Sequence, residues 1–323
     1  MLNLPVSVVM KLQKSKNILI MGMGGGFDVF SGLPLYFTLE KMNMKVHLAS
    51  FTHSSWDAIP NHIDVIPIAS GCVGVSGNLK TPSENFPEAY LSSWFRDVKN
   101  QEVPVWTFKR DQSVDEYSKS LNILVKHLEI DAILLVDGGV DSIMVGDEEG
   151  SGTMLEDTLT LAAVKNAEVP LKLLSCVGFG TEVEENLCHY LALENMAQLA
   201  KDGGFYGSCS LVDFMDSFKQ YKAACEHTWN QPGHRTSHVQ TRIIPAAEGE
   251  FGDYHMFPDE KSSDVFVSPL TSIYWFYNAE AAIYYNKIIP AIESQETFFE
   301  VVQIGVPMIK NSNHRARKPI PLT

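Results

Sequence analysis

A doubly wound α/β fold, with a mostly parallel sheet and helices on both faces, is predicted by three observations. Four apolar runs, at residues 17–21, 45–50, 131–136 and 171–177, each stop at glycine or polar residues. Helical patterns lie between them, so strand and helix alternate along the chain. The runs are continuous rather than alternating, which marks strands covered on both faces, as in a Rossmann-like sheet. Such sheets hold their ligands at the carboxyl ends of the strands.

Taken in order, the first run stops at Gly22, Gly24, Gly25 and Gly26, before a helix-like segment that carries Asp28 and Ser31. The second run ends at Ser50, and a short strand at 63–66 is cut by Pro67. Residues 70–104 have poor periodicity and several glycines and prolines, which reads as an excursion over the active face. Residues 113–128 have helical spacing and lead into the 131–136 strand. A further helix opens at 152–157, with Thr153 and Glu156 in capping-box spacing, and runs to about Asn166. Residues 186–202 read as a helix stopped by Gly203 and Gly204, followed by a strand at 205–211 and a helix at 212–227. Apolar stretches at 239–244 and 264–267 precede a long apolar helix from Thr271 to about Ile289, just before Pro290. One domain, 1–310, is expected, with a glycine-loop half to about 130 and an acidic-loop half beyond it. A basic, proline-containing tail, 311–323, should be loosely held.

The 323 residues include 45% apolar and 20% charged residues, enough for a full core. A net charge of −14 argues against general affinity for nucleic acid or anionic membranes. It leaves room for an anionic small molecule, because local backbone dipoles can override the global charge. The five cysteines are widely spaced with no CxxC pair, and read as buried thiols in a reducing compartment. No apolar run reaches the roughly 18 residues of a membrane helix. The early lysines follow the N-terminal apolar residues instead of preceding them, so a cytoplasmic protein is expected.

Chemistry concentrates in four places. The loop G-x-G-G-G-F-D lies between strand and helix, where the backbone N–H groups of Gly24, Gly25 and Gly26 can approach phosphate. It fits neither the dinucleotide fingerprint nor the Walker loop, no lysine or arginine occurs from Met21 to Glu40, and the acid expected downstream is missing. Classical NAD or flavin binding is therefore disfavoured. Asp28 reads as a helix cap, a holder of ribose hydroxyls, or a holder of metal-bound water.

The second place is D-G-G-V-D-S followed by G-D-E. Asp137, Asp141, Asp147 and Glu148 are four carboxylates within 12 residues, with Gly138 and Gly139 letting the chain fold tightly. Like charges so close repel unless a cation, a proton or a donor intervenes. Mg²⁺ or Ca²⁺ on Asp137 and Asp141 is one solution. Direct hydrogen bonding to a ligand, or solvated loop acids and caps, are the others. Ser142 can bond a phosphate, but no G-x-S-x-G elbow surrounds it. The third place, Gly178-Phe-Gly180-Thr181, can complete the cleft from a neighbouring strand end. The fourth, Glu248 to His255, holds Glu248, Asp253 and His255 near Arg235 and several histidines. It reads either as the far wall of a cleft or as a solvated turn. The aromatic run Tyr274 to Tyr277 reads as core or an oligomer contact, leaving a homo-oligomer open.

Six ordered motifs, G-G-G-F-D at 24–28, D-G-G-x-D-S at 137–142, G-D-E at 146–148, C-H-Y-x-x-L-E-N at 188–195, E-G-x-F-G-D-x-H at 248–255 and Y-W-F at 274–276, span nearly the whole chain. Together they resemble an uncharacterised family of archaea and bacteria, domain of unknown function 1152. The resemblance implies no activity, substrate or catalytic residue. This chain departs from the family's pattern at Val145, where an arginine is expected, and at His234 and His238, where smaller residues are expected.

The function expected from these residues is an enzyme acting on a nucleotide or other phosphorylated small molecule, by metal-assisted hydrolysis or group transfer. Gly24–Gly26, Asp28, Ser31, Gly138, Gly139, Ser142, Gly178, Gly180, Glu248 and Asp253 would line the ligand site. Asp141, Asp147, Glu148 and His255 are the candidate catalytic groups. The alternatives are a ligand-sensing module without turnover and a protein-interaction protein.

Overall fold

A computed structural model describes residues 7–82, 86–148, 154–183, 186–257, 264–311 and 313–320. Among these, nine strands form one sheet: β1 (Asn17–Gly25), β2 (Lys45–Phe51), β3 (Ile63–Ala69), β4 (Cys72–Leu79), β5 (Val105–Phe108), β6 (Ala132–Asp137), β7 (Leu171–Cys176), β8 (Phe205–Ser210) and β9 (Ile273–Asn278). Their order is β3-β4-β5-β2-β1-β6-β7-β9-β8. The centre, β5-β2-β1-β6-β7, is parallel throughout. The reversed strands β4 and β9 join one pair to each side of it. Both halves of the chain therefore feed a single sheet.

The alternation of strand side chains separates two cores. Leu19, Met21 and Met23 of β1 face the helices Val114–Leu128, Met154–Lys165 and His189–Lys201. Ile18 and Ile20 face Leu33–Lys41, Pro87–Lys99, Asp216–Trp229 and Gln240–Glu248. The fold is Rossmann-like and doubly wound, with helices on both faces. The chain leaves β1 toward β2 on one side, and leaves β6 toward β7 on the other. The crevice that opens at the carboxyl ends of β1 and β6 is the topological switch point.

Residues 70–104 do not form an excursion over the active face. They supply β4 and the helix Pro87–Lys99, and β5 follows at once. Glycines obscured this strand for a packing reason: a Cβ on Gly74 would lie 2.9 Å from the Trp106 ring, and one on Gly77 would lie 2.7 Å from Arg96 Cβ. The long helix expected at 271–289 is a second correction. Tyr274 and Phe276 pack on one face of β9 and Tyr277 on the other, so the segment has the period of a strand. Asn278 then caps the short helix Ala279–Tyr285 by accepting the Glu280 N–H at 3.0 Å. The stretch 239–244 belongs to a helix, Gln240–Glu248. Thr153 of the expected capping box lies outside the described residues. No helix among the described residues is long and apolar enough to cross a membrane.

The tail is not loosely held over its described part. Arg315 donates to Asp147 Oδ1 (2.8 Å), Glu148 Oε1 (2.5 Å), Glu194 Oε2 (2.6 Å) and Asn195 Oδ1 (2.9 Å). The Glu148 side chain is fully buried and also accepts the N–H groups of Val145 (2.9 Å) and Gly146 (2.8 Å). Arg315→Met leaves that buried carboxylate without its cation and should lower stability by roughly 2–3 kcal/mol, after discounting for the partly exposed guanidinium. Urea denaturation measures this, and an unchanged midpoint would show that the tail does not hold the loop in solution.

Candidate functional site

The strand ends at the switch point deliver the acids. Asp137 is the last residue of β6, and the 3₁₀ turn Asp141–Ile143 follows. Asp137 Oδ2 accepts the Ser142 N–H at 3.1 Å. Glu182, on the loop after β7, accepts the N–H groups of Val140 and Asp141 at 3.0 Å each, which sets the turn. Gly139 is required here, because a Cβ would strike the Glu182 carboxylate. Asp157, near the start of the helix Met154–Lys165, points back at the turn. That helix is tied to the end of β1 by Thr160 Oγ1, which donates to the Met23 carbonyl at 2.7 Å. One ligand oxygen each from Asp137, Asp141 and Asp157 lie within 4.8 Å of one another, and all three residues are buried.

This arrangement cannot carry its full charge. At an effective dielectric near 20, two like charges so close repel by roughly 3 kcal/mol, so three such pairs approach the ~5–15 kcal/mol stability of a whole domain. Burial first, and then the charge of Asp141, pushes the carboxyls of Asp137, Asp157 and Glu182 well above the usual range. Asp28 is raised to about 7, chiefly by burial, although the N–H groups of Gly24 and Gly138 bond its carboxylate. The cluster holds protons or a cation. Three hard oxygen donors that converge in a buried pocket fit a divalent ion such as Mg²⁺ or Ca²⁺.

A cationic wall adjoins the acids. His53, just past β2, packs its ring where a Cβ on Gly25 would sit. Its Nε2 lies 3.4 Å from Glu156 Oε2, while Arg110 Nη2 donates to Glu156 Oε1 at 2.6 Å. Burial raises Glu156, but His53 and Arg110 outweigh it and hold the carboxylate below its ordinary value. Glu156 thus joins this wall to its sequence neighbour Asp157. A cavity of about 350 Å³ opens beside the wall, between the carboxyl ends of β2 and β5, and includes Trp56 and Lys109 in its lining.

The remaining expected residues divide. Gly138 lies between Asp28 and Ser31, within the site. The N–H of Gly24 goes to Asp28 and that of Gly26 to the Phe51 carbonyl at 3.2 Å, so these two groups are engaged within the protein. Ser31 is buried and engaged too: its Oγ accepts from Gln240 (2.9 Å) and its carbonyl from the Tyr274 hydroxyl (2.6 Å). Ser142 Oγ lies 3.2 Å from Cys176 Sγ. Gly178 and Gly180, both at φ +96°, shape the loop that presents Glu182. Asp147 and Glu148 belong to the Arg315 network, where Lys287 and Arg315 hold the Asp147 carboxyl below its ordinary value against the opposing effect of burial. The helix Gln240–Glu248 starts at the site, where Gln240 Nε2 donates to the Phe27 carbonyl at 3.2 Å. Glu248 lies at its other end, roughly 12 Å along the axis, and pairs with Lys222. Asp253 and His255 pair with each other at 2.9 Å.

Sequence reasoning missed Asp157, Glu182, His53 and Arg110. Asp157 had a readable signal: with Thr160, Leu161 and Val164 it forms an i, i+3, i+4, i+7 stripe, and a carboxylate on a stripe without another charge is out of place. Nothing local marks the other three.

Glu88 is a further buried acid. It is raised by burial to about 8, and its Oε2 meets Thr52 Oγ1 at 3.5 Å. Between the ordinary value near ~4.3 and about 8 the folded state keeps a proton that the unfolded chain has lost, so this group's effect on stability turns unfavourable as pH rises through that window. Glu88→Gln should flatten the decline in stability between pH 5 and pH 8. Chemical denaturation at both values measures it, and an unaltered difference would remove Glu88 as a source.

The profile of one family, described as a protein of unknown function (DUF1152), matches residues 19–308. Comparison with curated proteins and with solved structures finds no match. The matched span covers β1 to the last long helix and every acid of the cluster, and the chain belongs to the DUF1152 family.

Proposed function

We propose that the protein is a divalent-metal-dependent enzyme acting on a nucleotide-like or other phosphorylated small molecule, by hydrolysis or group transfer. The observation that carries this reading is the buried convergence of Asp137, Asp141 and Asp157 at the switch point of the sheet. These three would hold Mg²⁺ or Ca²⁺, which supplies charge neutralisation and polarises a phosphoryl oxygen. Glu182 sets the turn that aims Asp141. Arg110 and His53, which reach Glu156 beside Asp157, would meet the phosphate, and an arginine suits phosphate oxygens through charge-assisted hydrogen bonds. Gly24 and Gly26 spend their N–H groups on Asp28 and Phe51, so the phosphate contact would fall to Arg110 and His53, and Gly24 and Gly25 supply room for Asp28 and His53.

A second reading, a ligand-sensing module without turnover, draws support from the raised carboxyl groups. A cluster that shares protons persists without a cation. Thermal shift separates the two. A ligand at about 100 times its dissociation constant adds ~2.7 kcal/mol. Nucleotides and sugar phosphates are expected to give a shift only with Mg²⁺ or Ca²⁺, and none in EDTA. Asp157→Asn should abolish the metal-dependent shift and any phosphate release while keeping the circular dichroism spectrum. A shift equal in EDTA would favour the sensor, and full turnover by the variant would remove Asp157 from the site.

A further inference from the structure

The cavity that His53 and Arg110 help to line continues past the phosphate contacts assigned above, toward Trp56. It has a volume of about 350 Å³, within the roughly 300–1,000 Å³ typical of small-molecule sites. It sits past the carboxyl ends of β2 and β5, where the chain continues as Thr52 to Asp57 and as Lys109 to Asp111. Trp56 is half-buried, packed against the core on one side and lining the cavity on the other. Arg110 and His53 line the cavity and both reach Glu156, the sequence neighbour of Asp157.

Resting on the phosphate reading above, we infer that this cavity receives the base of a nucleotide substrate. Its phosphate would lie at Arg110 and His53, and its nucleobase against Trp56. A sugar phosphate has no flat apolar face for the indole, whereas every nucleobase has one. Ser54, Ser55 and Asp57 add polar groups around the cavity, suited to the hydroxyl and amino groups of a nucleoside. The lining thus offers a counterpart to each part of a nucleotide: basic groups for the phosphate, an indole face for the base and hydroxyls for the sugar.

Binding of AMP and of ribose 5-phosphate, each with Mg²⁺, to the full chain by calorimetry tests this. AMP should bind about tenfold more tightly, the size of one aromatic stack. Trp56→Ala should bring AMP to the level of ribose 5-phosphate without weakening the latter, Trp56→Phe should keep the preference, and Arg110→Gln should weaken both ligands. Equal affinity of the unaltered protein for the two ligands, or loss of both in Trp56→Ala with the fold intact, overturns the base site. Mn²⁺ titration of the same samples scores the acid cluster separately: cluster binding of Mn²⁺ with no AMP preference refutes only this inference. Failure to bind both Mn²⁺ and phosphate refutes it together with the function proposed above.

Discussion

Mutual repulsion among buried carboxylates is the constraint on which the rest of the site depends. Three buried aspartates with oxygens inside 4.8 Å, and Glu182 and Asp28 beside them, cannot all ionise together. Something positive must enter or protons must stay. The fold brings the acids together by joining the ends of two parallel strands, one 3₁₀ turn and one helix, each anchored by backbone or side-chain hydrogen bonds to its neighbours. Proteins rarely bury acids without a compensating partner. Their concentration here makes this cluster the strongest candidate site among the described residues.

Around that pocket the protein places its charges unevenly. The chain carries 39 acids against 25 lysines and arginines, yet the cations Lys109 and Arg110, with His53, gather at the ends of β2 and β5. The local distribution of charge thus differs from the net charge of the chain. Arg315 solves a different problem. It carries positive charge from the C-terminal segment to Asp147 and Glu148, and Glu148 also accepts the Val145 N–H. Through Asn195, which also donates to the Ile143 carbonyl at 3.1 Å, the network is tied to the turn that carries Asp141.

Much of the fold was legible along the chain because buried parallel strands write themselves as local apolar runs. β1, β2, β6 and β7 were readable for that reason. β4 was not, since Gly74 and Gly77 give way to Trp106 and Arg96, partners distant in the chain, and β5 is only four residues long. The aromatic run in β9 looked helical because a continuous apolar stretch has no visible period until its two faces are known. In the site, Asp137, Asp141 and Asp28 were readable beside their glycines. Asp147 and Glu148 looked equivalent to them, and only the position of Arg315 sets them apart.

The sequence by itself determined the alternation of strand and helix, the glycine and acidic loops at strand ends, and membership of one family across residues 19–308. These depend on residues close together in the chain, where period and composition are enough. Tertiary structure alone decided which acids meet. Asp157 and Glu182 join Asp137 from other elements, His53 and Arg110 come from two further strand ends, and Glu248, Asp253 and His255 remain elsewhere. Convergence is a property of distances in space, and sheet order sets those distances: β1 lies between β2 and β6, so loops far apart in the chain open onto the same crevice.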